Sequence, residues 1–488
     1  MVDRMLKGFD NEKYINLQSE AIRNRINKFG CKLYIEFGGK LFNDFHATRV
    51  LPGFQHNTKF NMLLKLKDDL EMIIVISSLD IKNKKVRSDI NLTYEEDVFR
   101  LISKFKKHKL DINSVIITQF ENSDEINSFI NKLNKKKIKV VRQYKIKNYP
   151  NDIDLIVSDE GFGKNEYTKI KKKLAIVTAP GPGSGKLSAI LSQLYHDYKN
   201  NVKSSYAKFE TFPIWNLDVK HPVNLAYEAA TVDLNDLNML DHYHYKAYRT
   251  KATNYNRDLE AFPILNKILS SIYQNSMYKS PTDMGVNMAG FCITNDEVVS
   301  IASKKEIIRR YYQTNINYQL DKCPKIHVTR LAKIIKQNDI DLNLIKSIKV
   351  ANEFSATNNI ICSAIEIDEN NVLIGKESNL LNSNSAAILN ALKYFAKIDR
   401  SIDVLEPSVI ELVQNLKQSL HYNQLSLDLK ETLFALSVSA NNSEIAKKAY
   451  LQLKNLSGLF LHRTSISSDS DREILKNIDI QLTEETIL

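Results

Sequence analysis

A glycine-rich segment between a short apolar run and an amphipathic helix contains the clearest chemistry in this sequence. Residues 174–199 read LAIVTAPGPGSGKLSAILSQLYHDYK. Apolar side chains recur from Leu187 to Tyr198 with the spacing of one helix face, which predicts a helix directly after the glycines. A strand, a glycine-rich turn, a lysine and a helix together present backbone N–H groups to a phosphate. The residues predicted to hold that phosphate are Gly181, Gly183, Ser184, Gly185 and Lys186.

The segment is a degenerate version of the Walker A sequence G-x-x-x-x-G-K-[ST]. Its Gly-Lys pair matches, but Pro180 stands at the first glycine and Leu187 stands at the Ser/Thr position. Ser188 comes one residue late, about 100° further round the helix, so the usual Mg²⁺-binding hydroxyl is missing unless Ser184 replaces it. The loop favours a nucleotide or another phosphorylated ligand. The alternative is a tight strand-to-helix turn with a solvated lysine.

Three further side chains are candidates for catalysis. Lys208 lies near the end of the next predicted strand, where a lysine reaches substrate or phosphate in some P-loop enzymes. His221 precedes a probable helix start at Pro222, and Asp283 lies among small residues in SPTDMGVNMAG. His221 could act as a general acid or base on a phosphate, and the Asp283 loop could approach a ligand closely, with a structural turn as the alternative for that loop.

Two polar clusters are candidate ligand-binding segments. Asn254, Asn256 and Arg257 suit sugar hydroxyls and phosphate, although Asx turns and an ion pair would also explain them. Gly38, Gly39 and Lys40 form a second Gly-Lys turn after an apolar strand. Such turns lie at the edge of an α/β sheet where ligands bind.

The metal prediction rests on carboxylates. Mg²⁺ takes one or two carboxylates together with phosphate oxygens, and Asp233 and Asp236 could supply them, with helix capping as the alternative. Cys31, Cys292, Cys323 and Cys362 are far apart in the sequence, which is typical of reduced thiols rather than of disulfides or a zinc site.

Composition restricts the class of protein. The chain has 488 residues, 43% of them hydrophobic, and a formal net charge of +11 that comes largely from lysine. The lysine runs contain few aromatic residues and match no nucleic-acid module, so we expect no nucleic-acid partner. No apolar run approaches the ~18 residues of a membrane span, and the N-terminus has no apolar signal segment. We therefore expect a cytoplasmic protein without a membrane partner; a homo-oligomer stays open.

The elements that must position these residues alternate between strands and helices. Before residue 168, apolar runs at 33–37, 72–77, 114–118, 138–141 and 153–157 predict strands separated by helices, which favours a mostly parallel sheet. We expect three domains: an N-terminal α/β domain (1–168), a P-loop-like α/β domain (169–330) and a C-terminal α+β domain (331–488). In the second domain, Ser303 and Glu306 have the spacing of a capping box at a helix start.

Several long segments resemble one bacterial family of functionally uncharacterised proteins, described as a domain of unknown function. They include FGGKLFNDFHATRVLPGF (37–54), VTAPGPGSGK (177–186), NYNRD (254–258) and SPTDMGVNMAG (280–290). The resemblance covers essentially the whole chain. Some members carry an ATP-dependent 6-phosphofructokinase label, although the chain lacks the glycine-rich and catalytic aspartate motifs of phosphofructokinases.

The residues and the resemblance together lead to one functional hypothesis. We expect a phosphorylated small molecule, and in particular ATP or another nucleotide with Mg²⁺, at the glycine-rich loop. A kinase-like phosphotransferase or another nucleotide-dependent enzyme is the leading hypothesis. The alternatives are a non-catalytic nucleotide or metabolite sensor and an ATP-independent lyase or hydrolase of a phosphorylated metabolite.

Overall fold

The computed structural model describes residues 6–29, 32–42, 44–87, 90–275 and 277–485, which divide into two compact units. The N-terminal unit comprises Leu6–Glu228 and Asn235–Ser300. The C-terminal unit comprises the described parts of Ala229–Leu234 and Ile301–Leu488. Separate clusters of buried apolar side chains lie within each unit, so each has a hydrophobic core of its own.

A seven-stranded parallel sheet forms the centre of the N-terminal unit. The strands of this unit are β1 (Lys32–Phe37), β2 (Leu70–Ser77), β3 (Val86–Arg87), β4 (Leu92–Thr93), β5 (Asp111–Thr118), β6 (Val140–Arg142), β7 (Leu174–Thr178), β8 (Ser204–Phe209), β9 (Asn238–Leu240), β10 (Thr253–Tyr255) and β11 (Gly285–Val286). The order in the sheet is β11-β8-β1-β7-β2-β5-β6, and β3–β4 and β9–β10 form two antiparallel ribbons. β2 and β7 are buried along their whole length, which explains their continuous apolar sequences.

Helices cover both faces of this sheet. They are α1 (Asn11–Phe29), α2 (Phe45–Val50), α3 (Thr58–Lys65), α4 (Ser78–Lys82), α5 (Tyr94–Lys107), α6 (Asp124–Lys135), α7 (Ile153–Ile156), α8 (Lys186–Lys199), α9 (Pro222–Ala230), α10 (His242–Tyr248), α11 (Asn256–Tyr273) and α12 (Pro281–Met284). One core contains apolar side chains of α1, α3, α5 and α6, and the other contains those of α7, α8 and α11. The apolar stripe of each helix is therefore buried against one face of the sheet.

The structure corrects two of the predicted features in this part of the chain. Strands from before and after the predicted boundary at 168 share one sheet, with β7 inserted between β1 and β2, so residues 1–168 do not form a separate sheet domain. The predicted strand at 153–157 is the short helix α7, whose start is capped by the Asp152 side chain through a hydrogen bond from Leu155 N. A side-chain cap of this kind stabilises a helix start that apolar composition alone does not reveal.

The C-terminal unit is built on a mixed four-stranded sheet. Its helices are α13 (Asp296–Gln319), α14 (Lys325–Gln337), α15 (Lys346–Asn358), α16 (Ser383–Ala396), α17 (Pro407–Ser419), α18 (Leu429–Asn442), α19 (Glu444–Tyr450) and α20 (Asp469–Asn477). Its strands are β12 (Cys362–Glu366), β13 (Val372–Lys376), β14 (Phe460–Arg463) and β15 (Gln481–Glu484), in the order β13-β12-β14-β15. β12 is antiparallel to both of its neighbours, whereas β14 and β15 are parallel.

The predicted capping box at Ser303 is wrong, because Ser303 lies inside α13. The Glu306 carboxylate instead accepts hydrogen bonds from Arg309 Nε (2.7 Å) and Arg310 Nε (2.8 Å). Glu306 and Arg309 are both buried, so the pair neutralises charge within the unit.

Among all the helices of the described residues, none has both the length and the apolarity that crossing a membrane requires.

Candidate functional site

The topology of the sheet places two loops where ligands bind in open α/β folds. The chain leaves β1 toward α3, on one face of the sheet, and leaves the adjacent β7 toward α8, on the opposite face. Neighbouring strands whose connections leave toward opposite faces open a crevice beyond their carboxyl ends. The residues after β1 (38–42) and after β7 (179–186) border this crevice, and each segment contains one of the predicted Gly-Lys pairs.

The 179–185 loop has the backbone conformation that its glycines permit. Gly183 and Gly185 have φ angles of +81° and +87°, in the left-handed region that residues with a Cβ atom rarely adopt. The hydroxyl of buried Ser184 donates to the carbonyl of Gly181 (3.1 Å), and Thr118 Oγ1 donates to the carbonyl of Ser184 (2.8 Å). These bonds fix the loop to the end of β5. They also turn the Ser184 hydroxyl into the loop, away from the role of a replacement Mg²⁺ ligand.

The N–H groups of this loop and of the first turn of α8 are available to a ligand. Within the part of the chain that the structure describes, no group accepts a hydrogen bond from the backbone N–H groups of residues 183–188. Pro182 and Gly183 are exposed, Ser184 is fully buried, and residues 185–188 are half-buried, so the accessible N–H groups are those of Gly183 and residues 185–188. Successive free N–H groups at a helix start, together with the helix dipole, favour an anion.

Lys186 lies beside this row of N–H groups and faces a carboxylate of β1. Its Nζ is 3.8 Å from Glu36 Oε1, which is an ion-pair distance rather than a hydrogen bond. Tyr206 donates its hydroxyl to the other Glu36 oxygen (3.1 Å). Because Glu36 pairs with Lys208 across β1 and β8, both side chains lie on the face of the sheet that α8 covers.

Lys208 is the centre of a buried ionisable cluster at the end of β8. Its Nζ lies 2.7 Å from Glu210 Oε1, donates to the Tyr255 hydroxyl (2.7 Å), and donates to Asp258 at the start of α11. Although burial lowers the pKa of Lys208, the carboxylates of Asp258 and Glu210 raise it above its ordinary value. The lysine therefore stays charged within this cluster.

The Glu210 carboxyl group has a raised pKa. Burial raises its pKa from 4.5 to about 7, with Lys208 lowering it and Asp258 raising it. The side chain is 12% exposed, so it is not fully closed off from solvent. A carboxyl group that titrates near neutral pH can both accept and donate a proton during a reaction.

A second buried lysine lies under the loop after β1. Lys59 Nζ is 2.6 Å from Asp44 Oδ2, and a Cβ atom at Gly39 would lie 3.2 Å from the same nitrogen. Burial raises the pKa of Asp44, but the ion pair with Lys59 outweighs it and keeps the carboxylate charged. Lys40, by contrast, is exposed.

Comparison with known families identifies the chain. Two models, "Domain of unknown function DUF1846, N-terminal" and "Domain of unknown function DUF1846, C-terminal", match residues 7–339 and 343–488. The chain belongs to the DUF1846 family.

Proteins similar to this DUF1846 chain occur in several bacterial groups. A UPF0371 protein of Corynebacterium urealyticum is 44% identical over 480 residues, which covers 98% of this chain and 97% of the relative. UPF0371 proteins of Corynebacterium diphtheriae and Fusobacterium nucleatum are 46% and 44% identical, again over 98% of this chain and over 96% and 97% of their own lengths. These names state no activity, so they give no support to the phosphofructokinase label.

Two of the predicted catalytic residues of this DUF1846 chain are engaged in structural contacts. His221 Nδ1 accepts from Val223 N (3.2 Å) at the start of α9, and its Nε2 lies 3.0 Å from Asp296 Oδ1 at the start of α13. The Asp283 carboxylate accepts from the Tyr248 hydroxyl (2.9 Å) and from a backbone N–H. Lys208 is the one of the three that lies in the ionisable cluster described above.

The predicted sugar-binding residues mainly stabilise turns. Asn254 Oδ1 accepts from the N–H of the next residue, and Asn256 Oδ1 accepts from Leu237 N (2.8 Å). Arg257 is half-exposed and donates to buried Asp236 (3.1 Å).

Asp233, the other predicted metal ligand, lies exposed on a short 3₁₀ helix of the C-terminal unit. In the described ranges, no group of three or more His, Cys, Asp or Glu side chains could hold a metal ion.

The sequence analysis missed the carboxylates that surround the predicted lysines. Glu36 is the only charged residue inside the apolar stretch LYIEF, and Glu210 alternates with Lys208 at the end of a strand. A charged side chain inside a buried parallel strand costs free energy unless it is paired, so both positions were detectable. The burial of Lys59 could not be detected in the same way, because it depends on an ion pair with Asp44, the residue that caps the start of α2.

Proposed function

We propose that the N-terminal unit binds a phosphorylated small molecule at the carboxyl edge of its sheet and that Glu210 exchanges a proton with the bound molecule. The observation that carries this proposal is the row of free backbone N–H groups at residues 183–188 beside Lys186. The class of reaction is acid–base chemistry on a phosphorylated metabolite.

Phosphate binding is supported by the charge and position of Lys186. The Lys186 ammonium group lies 3.8 Å from the Glu36 carboxylate, which is too far for a hydrogen bond. Lys186 could therefore turn toward a phosphate without breaking a hydrogen bond to Glu36. The α8 dipole and the N–H groups of residues 183–188 would act on the same anion. Leu187 at the position of the Mg²⁺-binding hydroxyl favours a ligand held by N–H groups and lysine alone.

Acid–base chemistry is supported by the contrast between the two lysines. Lys208 is held by Tyr255, Asp258 and Glu210, so it positions Glu210 rather than binding phosphate. Glu210 follows β8, the neighbour of β1 on the side opposite β7, and it therefore lies at the same edge of the sheet as the loop. Nucleotide-dependent phosphoryl transfer is a second candidate, favoured by Lys186 at the Walker lysine position.

Thermal unfolding of the full chain tests the binding step. Inorganic phosphate, pyrophosphate, ATP and a sugar phosphate are added with and without Mg²⁺, to the wild-type protein and to Lys186→Ala. A ligand present at 100 times its Kd stabilises the folded state by about 2.7 kcal/mol, and we expect Lys186→Ala to lose this stabilisation. The matched control is Lys199→Ala at the other end of α8, where Lys199 pairs with Asp159 on the surface. Equal stabilisation of wild type and Lys186→Ala would contradict the binding site.

Incubation with a pool of phosphorylated metabolites, followed by mass spectrometry, tests the chemistry. We expect the wild-type protein to convert a metabolite and Glu210→Gln to bind it without converting it. Binding without conversion by the wild type would refute the catalytic half and leave a sensor. Conversion that needs ATP and Mg²⁺ would favour the second candidate.

A further inference from the structure

The outer surface of α17 and α18 in the C-terminal unit is unusually apolar. Leu416 is 58% exposed and Phe434 is 64% exposed. Six of the large apolar side chains that are exposed on these helices and on the segment joining them form a set called here the 412–438 face: Leu412, Leu416, Leu420, Tyr422, Phe434 and Val438. The inner residues of the same helices pack on the core of the unit.

The 412–438 face is continuous because α17 and α18 are antiparallel neighbours. Glu406 N donates to Ser439 Oγ (3.0 Å) at one end of the pair, and Lys417 Nζ donates to Glu431 Oε2 (2.7 Å) at the other. Leu412 lies between these two contacts along α17, at the level of Phe434 on α18. Two helices that share a core present their opposite sides together to the exterior.

The same surface is almost free of charge. Lys417 is the only ionisable residue in 412–420, and it is buried and directed to Glu431. The stretch 432–442 contains no ionisable residue at all. Solvated helix faces carry charged side chains, whereas depletion of charge is a feature of the centres of protein–protein interfaces.

The size and shape of the face fit a second copy of the chain. Its exposed fractions correspond to about 600 Å² of accessible surface per copy, so two copies would bury about 1,200 Å² in total, the lower end of the range for stable interfaces. Exposed Glu411 and Lys430 give its surroundings both signs of charge, so a copy related by a two-fold axis can oppose unlike charges. Two antiparallel helix pairs packed face to face form a four-helix bundle.

We infer that the 412–438 face is an isologous dimer interface, in which α17 and α18 of two copies form a four-helix bundle. This inference does not depend on the proposed phosphate site. Sedimentation velocity of the full chain between 1 and 50 µM tests it, and the wild-type protein should sediment at twice its chain mass of 56.0 kDa.

The decisive variant combines Leu416→Glu with Phe434→Glu, which would bury four charges in the dimer. We expect the dimer Kd to rise at least about 100-fold, with an unchanged far-UV circular dichroism spectrum because both side chains face solvent in the monomer. Ile326→Glu on α14, where Ile326 is 51% exposed, is the matched control and should remain dimeric. If the double variant loses its fold, Leu412→Ser with Leu416→Ser takes its place. A monomeric wild type at 50 µM, or a folded double variant that still dimerises, would overturn the inference.

Discussion

Replacing Glu210 by glutamine should reduce the pH dependence of the stability of the N-terminal unit. Burial raises the pKa of this carboxyl group to about 7 in the folded protein, above its ordinary value of 4.5. The folded state therefore binds the proton more tightly than the unfolded state does. The stability that this group contributes is complete below pH 4.5 and is lost as the pH rises through 7.

The size of the effect follows from these two pKa values. One unit of pKa difference corresponds to about 1.4 kcal/mol. Between pH 5 and pH 7 the carboxyl group is mostly protonated when folded and mostly ionised when unfolded, so the wild type loses about 2 kcal/mol from this group alone. Glutamine is neutral at every pH and contributes no such loss. Titration of other groups is largely common to both proteins and cancels in the comparison.

Urea unfolding followed by tryptophan fluorescence measures this difference. Trp215 is the single tryptophan of the chain and lies in the same unit as Glu210, so it reports on the relevant transition. The free energy of unfolding is determined at pH 5, 6, 7 and 8 for the wild type, for Glu210→Gln and for Glu260→Gln, an exposed position of α11. The wild type and Glu260→Gln should lose about 2 kcal/mol more than Glu210→Gln between pH 5 and pH 7. If the wild type and Glu210→Gln differ by less than about 0.5 kcal/mol in this loss, burial does not raise the pKa of Glu210 as described.

Two other substitutions test the loop and the C-terminal core. Gly183→Ala and Gly185→Ala should each lower the free energy of unfolding by about 1 kcal/mol, because both positions have a positive φ. Gly185→Ala should lower it by about 1–2 kcal/mol more, because its Cβ would lie 2.9 Å from Thr118 Oγ1, whereas a Cβ at Gly183 would have no neighbour within 4 Å. Equal urea midpoints for the two variants would contradict this steric explanation. Asp471→Asn should cost about 2–4 kcal/mol, since this fully buried carboxylate accepts hydrogen bonds from two asparagine side chains and one backbone N–H. Hydrogen exchange measured by mass spectrometry should show faster exchange across residues 377–484, and unchanged protection there would contradict the prediction.

Most elements of the N-terminal unit could be predicted because their signals are local. The apolar runs at 72–77 and 114–118 became β2 and β5, and the helix after the glycine-rich loop became α8. The order of the strands was not predictable in the same way. β7 lies between β1 and β2, and that arrangement depends on packing between residues more than a hundred positions apart. The predicted boundary at 168 failed for this reason.

The candidate site was predictable only in part, because the positions of its lysines follow from the local sequence whereas the positions of its carboxylates depend on how the strands pair. Lys208 lies near the end of β8 and Lys186 begins the helix that follows β7, so their positions at one edge of the sheet follow from parallel topology. The partners of these lysines depend on strand register, which places Glu36 opposite Lys208 and is not written in either segment alone. His221 was a candidate by residue type, yet both of its ring nitrogens contact other parts of the protein, Val223 N and the Asp296 carboxylate.

Lys186 and Lys208 differ in how many groups balance their charge. Lys208 has three partners within hydrogen-bond or ion-pair distance, and moving it would leave the partly buried Asp258 and Glu210 without their counter-charge. Lys186 faces Glu36 at 3.8 Å, and Glu36 keeps the hydrogen bond from Tyr206 whether or not the lysine turns away. An anion arriving at residues 183–188 can therefore attract Lys186 without unpairing the cluster that tunes Glu210. Under the proposed function, Lys186 would bind the anion and Glu210, held in place by Lys208, would exchange the proton.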